Sequence, residues 1–327
     1  MNFVDGLLPN KRQIMGNIQN LKNIVSYNLQ QYDKNKLLRY RLIQSKIGVK
    51  KYYKITTANK TIIGNQVIQF VQNKLIEVYL IDRNSSNSLS AYKYKLYDHD
   101  IEGTSIIHYW ADDLDDLQSE MTLIVDTQGQ LVDIYNFDVL LTKWYGCFVS
   151  RLKKKYPHGV DLMIEETTNL LKNKSRYMNL FTGGYNMWRF FLQNWYSKGF
   201  DEDEQYKLKL HNYWGNVDLD LIVNSEIEPF EDTDFVHTIR NKAVLDDENF
   251  DKKMFTRQMK TLANTYNVST ILDVDMEEIY EFEENGTLKK SDLFLQTSVS
   301  NWYSISNAFQ LIQISELDFE KVIMKQR

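Results

Sequence analysis

The stretch SRYMNLFTGGYNMWRFFLQNWYSKGF, residues 175–200, decides how the rest of this chain is interpreted. Its large apolar residues recur at steps of three and four, which is the spacing of one face of an α-helix. They are Tyr177, Phe181, Tyr185, Trp188, Leu192 and Trp195. A helix that is apolar nearly all round is normally covered on several sides. The pattern predicts a central core helix, with a kink or break at Gly183-Gly184, since each glycine costs about 1 kcal/mol inside a helix.

The same stretch has a second interpretation, as a groove for a protein partner. Tyr, Trp and Arg are enriched at the hot spots of interfaces. With about 3.6 residues per turn, Arg189 and Tyr196 fall on a helical face next to the one that carries Trp188. On this interpretation the partner-binding residues are Tyr185, Arg189, Trp195 and Tyr196.

Strand patterns flank the helical centre on both sides. Short runs rich in Ile, Val, Tyr and Thr alternate with polar residues, as strands with one wet face do. Each flank also has a late hairpin with glycine in its turn, VDTQGQL in the first and FEENGTL in the second. An internal duplication would produce this shared arrangement. We therefore predict an α+β fold, in which two antiparallel β-sheets are bridged by a central helical segment and preceded by an N-terminal helix.

The predicted organisation has four regions. They are an N-terminal helix at 1–36, a first antiparallel β region at 37–136, central helices at 137–200, and a second β region with one inserted helix at 201–327. In the central region Trp144 falls on the helical face set by Phe137, Leu140 and Phe148, so it is predicted to be buried.

Composition narrows the class of protein. A hydrophobic content of 43% and a charged content of 25% are globular values. A net charge of −5 does not favour nucleic acid or an anionic membrane surface as partner. The chain shows no secretory signal pattern and no apolar run of membrane-spanning length. With a single cysteine, Cys147, predicted to be a buried thiol, the expectation is a cytoplasmic protein without disulfides.

Candidate chemistry is sparse. The five histidines show no metal-binding spacing, and the phosphate-loop, dinucleotide and nucleophile-elbow motifs are absent. The acidic run Asp112–Asp116 lacks the glycine and terminal glutamate of a calcium loop, so a solvated loop is expected. His108, just before it, is expected to be a structural strand residue, because a hydrolase would need a carboxylate within about 3 Å of its ring. No catalytic, cofactor-binding or metal-binding residue is predicted.

One part of the chain has a family resemblance. The segments LIVDTQGQLVDIYNFDVLLTKWYGCFVSRLKKKYPHGVDL and LLKNKSRYMNLFTGGYNMW carry a strand, a hairpin, a second strand and a helix with a tryptophan. This pattern, with Asp126, Gly129, Asn136, Phe137 and Trp144, resembles uncharacterised cytoplasmic proteins of Bacteroidota. Those proteins are encoded near the spike and PAAR-like tip genes of contractile injection systems of the type VI secretion kind. The resemblance implies an accessory role, such as adaptor or chaperone, without enzymatic activity.

Three function classes follow, of which the third is a hydrolase that uses His108 with the acidic run. The favoured hypothesis is a non-enzymatic factor that binds a protein partner through the aromatic helix. The alternative is a carrier of a small apolar ligand between two curved sheets, since antiparallel sheets with aromatic inner faces can enclose a cavity. Burial of Trp188, Trp195 and Tyr196 within the monomer would mean that the helix is core, and a closed pocket lined by Tyr, Phe and Leu with few charges would favour the carrier.

Overall fold

A computed structural model describes residues 46–84, 88–193, 204–229, 237–265, 269–283 and 286–326. The predicted N-terminal helix at 1–36 lies outside these residues, and so do Trp195 and Tyr196.

The described strands form one antiparallel sheet of eleven strands. In chain order they are β1 (Lys51–Ile63), β2 (Gln66–Asn84), β3 (Leu89–Gly103), β4 (Glu120–Val125), β5 (Leu131–Ile134), β6 (Glu204–Leu210), β7 (Leu219–Pro229), β8 (His237–Leu245), β9 (Asp273–Phe282), β10 (Leu288–Val299) and β11 (Tyr303–Ile314). Across the sheet the order is β5-β4-β3-β2-β1-β11-β10-β9-β8-β7-β6.

The prediction of two sheets bridged by helices is therefore wrong. β1 and β11 pair along their length, from Tyr52 opposite Ile314 to Ile63 opposite Tyr303, and this ladder joins the two strand regions. Each region would otherwise end in a row of unpaired backbone groups, which the pairing satisfies. Periodicity identifies strands but contains no information on which distant strands pair, so the joining ladder was not predictable from it.

Helices and helical turns fall mainly between β3 and β6. They are α1 (Ile106–Leu117), α2 (Phe137–Lys143), a π-helical turn (Trp144–Phe148), α3 (Val149–Lys155), α4 (Val160–Leu171), α5 (Lys174–Thr182) and a 3-10 turn (Met187–Phe190), with α6 (Lys252–Ala263) after β8 and α7 (Glu316–Gln326) after β11. None of these described helices is long and apolar enough to cross a membrane.

Helix α1 replaces a predicted strand and the predicted acidic loop after it. Ser105 caps the helix by accepting a hydrogen bond from the backbone N–H of Ile107. The side chains of Ile106 and Ile107 are exposed, while those of His108 and Leu117 are buried. A short apolar run such as SIIHYW fits a strand or a helix equally well by periodicity alone, which explains the wrong assignment.

The aromatic stretch is broken where its two glycines lie. Helix α5 ends at Thr182, and the N–H of Gly183 donates to the carbonyl of Asn179. A Cβ atom at position 183 would lie 2.8 Å from that carbonyl oxygen, a distance that real Cβ contacts avoid. The side chain of Asn186 then accepts from the N–H of Trp188 and starts the 3-10 turn. The helix therefore does not run through 175–200 as one piece.

The sheet has two unlike faces. The inner face bears Tyr53, Ile55 and Ile76 and packs against the main hydrophobic core, which includes the central helices. The outer face carries α7, where Phe319 stacks on Tyr52 with ring centroids 4.2 Å apart. The prediction that Trp144 is buried is confirmed, because its side chain is fully enclosed in the main core.

Candidate functional site

A cleft of about 330 Å³ lies on the inner face of the sheet, beneath α1, α5 and the 3-10 turn. Its volume is at the lower end of the range for small-molecule sites. The lining residues are Thr57, Asn59, Phe70, Gln72, Lys74, Tyr94, Asp115, Gln118, Met121, Leu180, Phe181, Tyr185, Asn186, Met187, Trp188, Asn307 and Phe309.

Neutral polar side chains form part of the sheet side of the cleft, next to the strand residues Phe70, Lys74, Tyr94, Met121 and Phe309. On β1, Thr57 and Asn59 continue the inward alternation that begins with Tyr53 and Ile55. Their cross-strand neighbours include Gln72, opposite Thr57, and Asn307, opposite Asn59. The Asn59 amide donates to the Asn307 side-chain carbonyl at 2.5 Å. Polar groups at inward positions of a covered sheet face need hydrogen-bond partners, and here they border a cavity.

Aromatic rings form much of the rest of the lining, Tyr94 and Phe309 from the sheet and Phe181, Tyr185 and Trp188 from its cover. Trp188 lies between Phe181, with ring centroids 4.7 Å apart, and Tyr94, at 4.9 Å. Tyr185 meets Phe309 at 5.8 Å. Burial raises the pKa of both Tyr94 and Tyr185 well above the ordinary value, so their hydroxyl groups stay protonated and uncharged. This part of the lining is apolar or neutral.

The charges at the cleft cancel. Among the described residues that line it, Lys74 and Asp115 are the charged ones, and the Lys74 Nζ lies 2.7 Å from an Asp115 carboxylate oxygen. Both side chains are largely buried, at 8% and 13% exposed. The Gln72 amide also donates to Asp115 at 2.7 Å and to Asp112 at 3.1 Å. A charged ligand would have to displace one member of this pair.

The acidic residues of α1 are paired, contrary to the predicted solvated loop. His99 on β3 contacts Asp112 through Nδ1 at 2.8 Å and Asp116 through Nε2 at 3.0 Å. Burial opposes protonation of His99, but these two hydrogen bonds outweigh it, and the pKa of His99 is raised. Asp113 accepts from Lys155 and Tyr156. The acidic face of α1 thus attaches this helix to β3 and to the end of α3.

One nitrogen of His99 and one oxygen each of Asp112 and Asp115 lie within 4.8 Å of one another, a group that could hold a metal ion. A divalent ion would have to displace Lys74 from Asp115 and break the hydrogen bond between His99 and Asp112. We therefore expect no saturable heat when calcium, magnesium or manganese is titrated into chelator-treated protein at neutral pH, after subtraction of the heat of dilution. A site of micromolar affinity would contradict this expectation.

His108 lies on a helix and not on the predicted strand. Its side chain is 8% exposed and packs against Phe70, with ring centroids 4.8 Å apart. Burial lowers the pKa of His108, so the ring is neutral at pH 7. Its Nδ1 makes no hydrogen bond, and no ion pair to a carboxylate is found for its ring, within the described part of the chain. The carboxylate partner that the hydrolase hypothesis requires is therefore not seen among those residues.

The predicted partner-binding residues that the structure describes lie inside the monomer. Tyr185 and Arg189 are 8% and 6% exposed. Arg189 donates through Nε and Nη2 to the two carboxylate oxygens of Glu278, at 2.7 and 3.0 Å. Their burial removes these side chains from the surface. Trp195 and Tyr196 lie outside the described residues, so their role stays a prediction.

Cys147 is also placed differently from the prediction. Its thiol is exposed, and Sγ contacts the backbone carbonyl of Lys143 at 3.5 Å. The π-helical turn shifts the phase of the helix at this point, so that Trp144 and Phe148 face the core while Cys147 does not.

A second, smaller cavity of about 60 Å³ lies on the same sheet face. It shares two residues with the cleft, Tyr94 and Trp188. The rest of its lining is mostly apolar or aromatic and includes Tyr53, Val78, Leu80, Leu123, Val125, Phe190, Phe191, Leu192 and Leu288.

The cleft was not predicted, although the sequence contains a signal for it. Thr57, Asn59, Gln72 and Lys74 occupy positions where the strand alternation places core residues. The strand alternation predicts apolar residues at these positions. Polar residues in their place are expected at functional sites. Recognising the signal requires knowing which face of the sheet is covered.

Comparison with known proteins does not assign a family. No protein-family model and no curated protein matches the chain. Among solved structures, lipovitellin in a structure of lipid–protein interactions aligns with 83% of this chain at 10% identity and a TM-score of 0.47, and the chain spans 26% of the lipovitellin chain. DynF from the dynemicin biosynthesis pathway of Micromonospora chersina aligns over 88% of this chain and 92% of its own, at 6% identity and a TM-score of 0.20. A putative outer membrane lipoprotein-sorting protein domain from Vibrio parahaemolyticus aligns over 84% and 91%, at 7% identity and a TM-score of 0.17. At these scores the similarities carry no argument about what this chain does.

Proposed function

We propose that this protein binds and carries a small amphipathic ligand with an uncharged polar group. The observation that carries the proposal is the 330 Å³ cleft, which combines neutral hydrogen-bonding side chains on the sheet with aromatic rings from the sheet and from its helical cover. Such a combination of apolar lining with a few convergent polar groups is typical of small-molecule sites. The ligand lies between one sheet and its helical cover, in place of the two curved sheets expected from the sequence.

The charge of the cleft supports an uncharged ligand. Because Lys74 and Asp115 neutralise each other, an added carboxylate or ammonium group would be left without a counter-charge in a partly buried site. Thr57, Asn59 and Asn307 offer a neutral group both donors and acceptors. The Tyr185 hydroxyl adds an enclosed donor that has no hydrogen-bond partner among the described residues.

The ligand class is tested with three probes of equal chain length, octanamide, octanoate and octylammonium. We expect octanamide to bind at least tenfold more tightly than either charged probe in isothermal titration calorimetry. Equal or tighter binding of octanoate or octylammonium would contradict the proposed ligand class, and no binding of any of the three would contradict the site.

Thr57 provides a matched test of the site itself. Thr57→Val keeps the shape of the side chain and removes its hydroxyl group from the cleft, so octanamide is expected to bind about three- to tenfold more weakly. Thr56→Val is the control, because Thr56 bonds Asn73 and lies on the outer face of the same strand. The same loss of affinity in both variants would show that the effect does not arise in the cleft.

A protein-binding accessory role in a contractile injection system stays a prediction. It no longer includes Tyr185 and Arg189 as surface anchors, because both are buried. The role of the two remaining residues is tested by a pull-down from the native host, with the wild-type protein and with a Trp195→Ala, Tyr196→Ala double variant. Loss of one specific spike or tip protein from the captured set would support the role, and identical captured sets would contradict the involvement of these two residues.

A further inference from the structure

The smaller cavity lies further along the same strands as the cleft. On β2, Gln72 and Lys74 line the cleft while Val78 and Leu80 line the smaller cavity. At about 3.3 Å per residue, Lys74 and Val78 are about 13 Å apart along the strand. Strand β1 repeats the arrangement, with Thr57 at the cleft and Tyr53 at the smaller cavity.

Two rings border both cavities. Trp188 and Tyr94 are the side chains that line both, and their ring centroids are 4.9 Å apart. The Trp188 ring is also in contact with Phe181, at 4.7 Å. The two spaces are therefore consecutive compartments on one sheet face, divided by an aromatic partition made of one residue from β3 and one from the 3-10 turn.

Both compartments have a mixed lining. The cleft has neutral polar groups such as Thr57 and Asn59 on its sheet side, whereas the smaller cavity is bordered by apolar side chains such as Val78, Leu80 and Phe191 and also by Lys51, Tyr79 and Tyr92. The apolar part of the smaller cavity can take a hydrocarbon chain. A ligand with its polar group at Thr57 would have its chain directed towards Trp188 and would be stopped there.

We infer that Trp188 limits the length of the ligand's apolar chain, and that the ligand is a single-chain amphipath with a neutral head. This inference rests on the proposed function. Removal of the Trp188 ring joins the two compartments, so that a longer chain can continue into the smaller cavity. Trp188 is thus a residue that sets specificity for chain length, and Tyr94 is the other half of the partition.

The test is a series of straight-chain alkanamides from six to fourteen carbons, titrated calorimetrically into three proteins. In the wild type the affinity should rise with chain length to a maximum and then fall. In Trp188→Leu the affinity maximum should move to an amide at least two carbons longer. That longer amide should bind the variant at least tenfold more tightly than it binds the wild type. Trp214→Leu is the control, since Trp214 is a buried tryptophan that lines neither cavity, and its maximum should not move.

Two further variants keep the test decisive. If Trp188→Leu does not fold, Tyr94→Leu opens the partition from the sheet side and should shift the maximum in the same direction. In a Trp188→Leu, Val78→Phe double variant the smaller cavity is filled again, and the maximum should return to the wild-type length. A maximum that stays in place in a folded Trp188→Leu or Tyr94→Leu protein overturns this inference alone, whereas a wild type that binds no alkanamide overturns the proposed function with it.

Discussion

Replacing Trp144 with alanine is expected to lower the free energy of unfolding by about 3–5 kcal/mol, the usual loss for a large aromatic residue in a core. The Trp144 side chain is fully buried, and its indole N–H donates to the Thr168 hydroxyl at 2.9 Å. The substitution therefore leaves a cavity between the π-helical turn and α4, and it leaves Thr168 without this donor.

The neighbouring residue supplies the control. Tyr145 is 57% exposed, so Tyr145→Ala should change stability by no more than about 0.5 kcal/mol. Both variants are compared with the wild type by denaturant unfolding and by thermal melting. A melting temperature of Trp144→Ala within a degree of the wild type would show that Trp144 is not packed in the core.

Arg189→Met is expected to cost about 3–5 kcal/mol, because it leaves the carboxylate of Glu278 buried without its counter-charge. Glu278 has no exposed surface. Besides Arg189, its Oε2 accepts hydrogen bonds from Asn241 at 2.9 Å and from Tyr280 at 3.1 Å. The Arg189 guanidinium thus attaches the segment after α5 to the centre of β9.

A second substitution separates the cost of the buried charge from the loss of packing. In the double variant Arg189→Met, Glu278→Gln, no uncompensated charge remains, so it should be more stable than Arg189→Met alone. Lys321→Met breaks a surface ion pair with Asp318, in which the two side chains are 58% and 60% exposed, and it should leave stability nearly unchanged. A double variant less stable than Arg189→Met would contradict the assignment of the loss to the unpaired carboxylate.

This expectation reverses one that the sequence suggested. Arg189 on a helical face beside Tyr196 has the pattern of a surface hot spot, and its replacement would then have left the fold intact. The structure pairs Arg189 with Glu278, 89 positions further along the chain. Such an ion pair depends on tertiary structure, and local periodicity does not predict it.

The parts of the fold that could be predicted are those set by local pattern. The alternation along β1 and the glycine-containing turn after β4 indicate strands and a hairpin directly. The burial of Trp144 follows from helical spacing in the same way. The β1–β11 ladder that makes one sheet out of two strand regions joins residues about 250 positions apart, such as Asn59 and Asn307, and no local pattern specifies it.

The candidate site was even less accessible from the sequence. Its lining comes from five strands (β1, β2, β3, β4 and β11) and from α1, α5, the 3-10 turn and the residues next to them. The aromatic residues of 175–200 were recognised, but their abundance suits a core, a partner groove and a ligand site equally well. What distinguishes the ligand site is the set of neutral polar side chains opposite them, such as Thr57 and Asn59, and that opposition exists only in the folded chain.

The most direct test of the central claim is a crystal structure of the wild-type protein grown with octanamide. We expect electron density for the ligand in the 330 Å³ cleft, with the amide within hydrogen-bond distance of Thr57 or Asn59 and the carbon chain against Phe181 and Trp188. An empty cleft at a concentration that saturates binding in solution, or octanamide bound elsewhere on the protein, would contradict the account.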